Sequence, residues 1–165
     1  MRHRCRAFTL LECACAIVVI GVTAASVLPV LNASAEVFVA TARAREACDN
    51  VAYAMDRALA MLRDTRLNAS SGLPEITSAS VGSITLNDGR SLTLNGTTLM
   101  LGAAGSPAAP LLRDVETFEV GLFGQDGVTS TMGSPSQTWI YTVRIKAGGF
   151  ELSGRAFIRA RSMPS

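Results

Sequence analysis

Few side chains in this chain are of types that do chemistry. It has one histidine, His3, and four cysteines, Cys5, Cys13, Cys15 and Cys48. A serine or cysteine nucleophile of the usual kind needs an imidazole beside it, and His3 stands alone in a basic opening stretch with Arg2, Arg4 and Arg6. Cys13 and Cys15, two apart on a helix, point to opposite sides and make no metal motif. Cys48 lies about 50 Å beyond Cys15 along a straight helix, far outside disulfide reach of roughly 7 Å. The cysteines therefore read as small apolar residues. Asp88 and Asp126 fall in turn sequences, where Asp has a local structural job, and no loop offers the string of oxygen ligands that calcium takes. There is no Walker loop and no dinucleotide fingerprint. The expectation is a non-enzymatic protein with no cofactor and no metal. One carboxylate stands apart from the rest. Glu12 opens an otherwise apolar run, and it is the residue most in need of an explanation.

The elements around Glu12 set the problem. Cys13 to Leu31 is a run of 19 residues without a charge, which as helix covers about 28 Å, one bilayer core. The arginines before it favour a cytoplasmic start by the positive-inside rule. A secretory signal peptide has a small-residue cleavage site available at Ala33–Ser34–Ala35, but its apolar region would be too long. A lipoprotein signal at Leu10–Leu11–Glu12–Cys13 has almost no apolar run before the cysteine. A plain membrane anchor leaves Glu12 without a purpose, beyond snorkelling to the interface. Nearly half of the residues are hydrophobic. Without Arg2, Arg4 and Arg6 the chain holds 12 basic and 13 acidic residues, a balance of −1, so the body offers no broad footprint for nucleic acid.

Arg6–Ala7–Phe8–Thr9–Leu10–Leu11–Glu12 followed by an apolar run resembles the class III signal of type IV prepilins and type II secretion pseudopilins. The resemblance covers about the first 30 residues. It implies that a prepilin peptidase cuts between Ala7 and Phe8 on the cytoplasmic side, keeps the apolar segment and N-methylates Phe8. His3 would be lost with the leader. Ala7 departs from the family's usual glycine before the cut. The resemblance further implies that Glu12 pairs with the N-terminal amine of a neighbouring subunit, since a buried carboxylate is tolerated only when paired, and that the pair fixes axial register. Pro29 falls where many pilins carry a helix-kinking proline. The implied partners are the prepilin peptidase, other pilins or pseudopilins and an inner-membrane assembly platform. The implied place is a single pass in the bacterial inner membrane, head in the periplasm, and then the filament.

Past Pro29, Val37, Ala40, Ala44, Ala47, Val51, Met55, Ala58 and Leu62 recur at spacings of three and four, which predicts an amphipathic helix over 32–67. Its charges interleave and read as a solvated face. Asn68–Pro74 breaks it. Over 82–102 the period becomes two, with Asn-Asp-Gly at 87–89 and Asn-Gly at 95–96 as turns, which predicts a three-stranded meander. The stretch 102–110 reads as a loop. A strand follows through Val115, Phe118, Val120 and Leu122, then a polar loop, then two strands around Gly148–Gly149. Trp139, Tyr141, Phe118 and Phe123 read as strand-core aromatics rather than a ligand-stacking face. The strand 110–123, the strand 138–147 and the last strand 150–161 resemble the C-terminal part of the J-type minor pseudopilin and related tip minor pilins.

The expected fold is α+β: a long bent N-terminal helix, its first half transmembrane, packed on a C-terminal antiparallel sheet. The organisation is a leader, 1–7; a transmembrane and filament-core helix, 8–31; an amphipathic second half, 32–67; and a β-rich head, 68–165. The expected function is a non-enzymatic minor pseudopilin or minor pilin subunit. The rival is a soluble exported β-rich binding domain cut after Ala35.

Overall fold

The computed structural model describes residues 9–158. The fold is α+β: α1 (Leu10–Arg63), β1 (Ile76–Ser80), β2 (Ser83–Leu86), β3 (Ser91–Asn95), β4 (Thr98–Gly102), β5 (Ala109–Leu112), β6 (Val115–Phe123), β7 (Ile140–Ala147) and β8 (Phe150–Phe157). The chain divides into two units, one ending at Arg43 and the other starting at Ala44.

In the first unit α1 is long and apolar enough to cross a membrane. Its apolar side chains, among them Ile17, Val18, Val19, Ile20, Val27 and Leu31, are all exposed. Pro29 lies inside the helix, which runs on past it, although proline cannot donate to the carbonyl one turn back. The hydroxyl side chains in this stretch bond to the helix's own backbone. Thr23 Oγ1 donates to the carbonyls of Val19 and Ile20 at 2.9 Å, and Ser26 Oγ to that of Thr23 at 2.9 Å. Ser34 Oγ donates to Val30 O at 2.7 Å, and Thr41 Oγ1 to Val37 O at 2.8 Å.

In the second unit Val51, Ala54, Met55, Ala58, Met61 and Leu62 are buried, a spacing that makes one helix face. The apolar stripe expected from Val37 is therefore buried only from Val51 on, while Val37, Ala40 and Ala44 stay exposed. The helix also ends at Arg63, not at residue 67. Thr65 ends it: its N–H reaches Leu62 O at 3.3 Å and its hydroxyl reaches the same carbonyl at 2.7 Å. Arg90 Nη2 takes the Asp64 carbonyl at 2.7 Å, so terminal carbonyls that would lack partners are satisfied.

The expected single sheet is two antiparallel sheets, β1-β2-β3-β4-β5 and β6-β7-β8. The meander over 82–102 is there as β2, β3 and β4, with Gly89 and Gly96 at positive φ in its turns. The structure adds β1 and β5 on its flanks. Residues 109–112, expected as a loop end running into the next strand, form β5 and pair with β4. Arg113–Asp114 then turns the chain into the other sheet. Asp114 has φ 57°, a left-handed conformation that Asp tolerates better than most residues. Hydrophobic alternation alone does not reveal such a corner.

One core joins the helix to both sheets. Ile84, Leu86, Leu92 and Leu99 come from the first sheet, and Phe118, Val120, Leu122, Tyr141, Val143 and Ile145 from the second. Phe118 and Tyr141 are core residues as expected, whereas Trp139 and Phe123 are partly exposed. At Gly154 of β8 the helix comes so near that a methyl group would stand 2.7 Å from Leu59 Cδ1 and 3.3 Å from Met55 Sδ, so glycine permits this approach. The outer edge of β6 is closed by the first sheet: Val115 N–H donates to Thr97 O and Val120 N–H to Val81 O, both at 2.8 Å.

Candidate functional site

Ala7 and Phe8, the expected processing positions, lie outside the described residues, as does the leader. Glu12 lies in the first turn of α1, where the structure gives it neighbours that the sequence reading did not. Thr9 precedes the helix, and its carbonyl accepts the first intrahelical bond, from Cys13 N–H at 3.2 Å. Its hydroxyl oxygen accepts the Glu12 N–H at 3.3 Å. In return Glu12 Oε2 accepts the Thr9 N–H at 2.9 Å and the Thr9 hydroxyl at 2.9 Å.

This reciprocal arrangement is a capping box. The two residues satisfy donors that a helix start otherwise leaves open, and the positive end of the helix dipole favours the carboxylate. The signal was in the sequence: Thr9-Leu10-Leu11-Glu12 is Ser/Thr-x-x-Glu ahead of an apolar run. Part of Glu12's purpose is thus local. The box also aims the carboxylate at a definite place. Its Oε2 is 2.9 Å from Thr9 N, the atom that carries the Phe8 carbonyl. The carboxylate is thus held at the very start of the described helix.

Pro29 is 17 residues further along α1, about 25 Å by helical rise, and takes no part in this arrangement. Cys13 and Cys15 are exposed on the helix and Cys48 is half-buried. Among the described residues no group of three or more His, Cys, Asp or Glu side chains could hold a metal ion. The two turn aspartates bond locally: Asp126 Oδ1 accepts the N–H groups of Val128 and Thr129 at 3.0 Å, and Asp88 binds Arg90 at 2.7 Å. The Thr129 hydroxyl also donates to Asp126 Oδ2, which closes that turn.

No protein-family model matches the chain, and neither a curated protein nor a solved structure matches it.

Proposed function

We propose that this chain is a membrane-anchored subunit of a filament of the type IV pilus or type II secretion pseudopilus kind, and within that class a minor, tip or priming subunit. In this reading the leader is removed between Ala7 and Phe8 and Phe8 is N-methylated. The subunit then waits in the bacterial inner membrane with its head in the periplasm, and Glu12 docks it on a neighbour during assembly. The observation that carries the reading is the Thr9–Glu12 box, which holds a carboxylate at the first turn of an apolar helix. A carboxylate at membrane depth needs partners. Thr9 supplies two hydrogen bonds, and a sister chain's terminal ammonium supplies the charge. Such a pair discriminates strongly between docking registers while adding little net stability.

The rival, a soluble domain released by a cut after Ala35, is disfavoured by one feature. Ala33–Ser34–Ala35 lies in the interior of α1, so a peptidase would have to unwind that turn. Mass spectrometry of the mature protein from membranes distinguishes the two. An N-methylated Phe8 start is expected; a start at Glu36, or an uncut chain, overturns the filament reading.

A further inference from the structure

The outer face of β6-β7-β8 carries a feature that goes beyond the filament reading and does not depend on it. Strand register sets it up. Gly121, Thr142 and Arg155 are cross-strand partners on one line across the three strands. On one side of that line runs Glu119–Arg144–Ser153, and on the other Phe123–Ile140–Phe157. Gly121 and Thr142 are low, and they form the floor of an open trough of about 740 Å³, within the size range of ligand sites. Glycine keeps it open: a methyl at Gly121 would run into the Thr142 hydroxyl and come 2.9 Å from Phe123 Cε2.

Charge gives the trough a polarity. On this face Lys146 pairs with Glu116 at 2.6 Å. Arg144 is shared between Glu119 at 3.8 Å and Glu151 at 3.5 Å. Arg155 alone has no ion pair among the described residues, and it closes the trough on the β8 side. The β6 side offers Phe123 and the exposed Val81, beside Glu119, whose carboxylate is held by Arg144. The hydroxyls of Thr142 and Ser153 lie between. Anionic lipid or nucleic acid would meet Glu116, Glu119 and Glu151 on the same face, so a single local carboxylate suits the site better than a charged surface.

We propose that this trough binds an extended peptide segment of a partner protein, with a carboxylate on Arg155 and an apolar side chain against Phe123 and Val81. Two strand spacings separate the ends, about 10 Å, close to one turn of a polyproline-II segment, about 3 residues at about 3.1 Å each, which returns a side chain to the same face at every third position. The acid and the apolar residue therefore stand about three positions apart in the partner, and the intervening polar groups meet Thr142 and Ser153.

The test is an amide-shift titration of the ¹⁵N-labelled full chain in neutral detergent micelles. The probes are acetyl-Phe-Ser-Ser-Glu-amide and its twin with Gln in place of Glu. The Glu peptide should move the signals of Gly121, Thr142, Ser153 and Arg155 at millimolar concentration. Both the Gln twin and the Arg155→Gln variant should bind about tenfold more weakly, by loss of one charge-assisted contact. Arg155 is exposed and has no ion pair among the described residues, so the variant's other signals should stay in place. Absence of shifts at these positions, equal binding of the Gln twin, or unchanged binding by R155Q overturns the proposal. Processing and assembly of the filament are read separately and are unaffected by any of these outcomes.

Discussion

Replacing Tyr141 by Phe tests the junction between α1 and the second sheet, and its effect should change sign with pH. The Tyr141 hydroxyl is buried and donates to Thr65 Oγ1 at 3.2 Å, next to the bond from Thr65 to Leu62 O. Burial pushes its ionisation from 10.0 up to about 12, against the opposing pull of the Thr65 hydrogen bond. Phe keeps the ring and loses one neutral hydrogen bond, a change of about 1 kcal/mol. Near neutral pH, Y141F should thus unfold about 4 °C below wild type, for a unit of roughly 120 residues. Alkali reverses the order. The unfolded tyrosine releases its proton near pH 10 and the folded one only near pH 12. Between these values the unfolded state binds fewer protons, so wild-type stability falls as pH rises. Tyr141's contribution is complete below the lower value, falls between the two and is reversed above the upper one. The loss is about 1.4 kcal/mol at pH 11 and tends to about 2.7 kcal/mol beyond pH 12. Phe does not titrate, so the two stability curves should cross near pH 11. All other titrating groups are common to both chains and cancel in the difference. Near-UV circular dichroism of the full chain in neutral detergent micelles, melted from neutral pH to about pH 11.5, reads this directly. A gap between variant and wild type that does not change with pH would refute the account of Tyr141 as a buried, proton-retaining group.

Three further substitutions, at two positions, probe the other contacts. Glu12→Gln keeps the capping box, since Gln can reach back to the Thr9 N–H, whereas Glu12→Ala removes it; hydrogen exchange at Leu10–Cys13 should rise in E12A only, while both should stop filament assembly because both remove the charge. Polymers of E12Q at the normal rate would show that the cap alone is what matters. Gly154→Val forces Leu59 and Met55 away from β8 and should destabilise by about 1–3 kcal/mol through overpacking, seen as a lowered Tm; an unchanged Tm would mean that the helix yields freely there.

What the sequence made legible was set by local rules. The meander over 82–102 could be read because Gly89 and Gly96 take the positive φ that its turns require and because Ile84, Leu86 and Leu92 alternate inward. The last hairpin was legible for the same reason, through Gly148 and Gly149. The division into two sheets was not legible. It depends on Asp114 turning left-handed between two apolar stretches, and nothing in the period on either side marks a change of partner. The burial limit at Val51 was hidden too, because Val37 and Val51 are alike in type and differ only in what packs over them. At the candidate site Glu12 was conspicuous as a lone acid, but its partner Thr9 was overlooked, although the three-residue spacing between them was open to view. The trough on the second sheet could not be foreseen, since the alignment of Gly121, Thr142 and Arg155 comes from register across strands.

The hydroxyl groups spread along the apolar part of α1 have a consequence for how that rod can travel. Thr23, Ser26, Ser34 and Thr41 each return their proton to a carbonyl within one turn of the same helix. They ask nothing of what surrounds them, hydrocarbon or protein. These four hydroxyls can pass from one apolar medium to another without trading a hydrogen bond, whereas the Ala25 carbonyl that Pro29 leaves open and the first turn have to find something new on arrival.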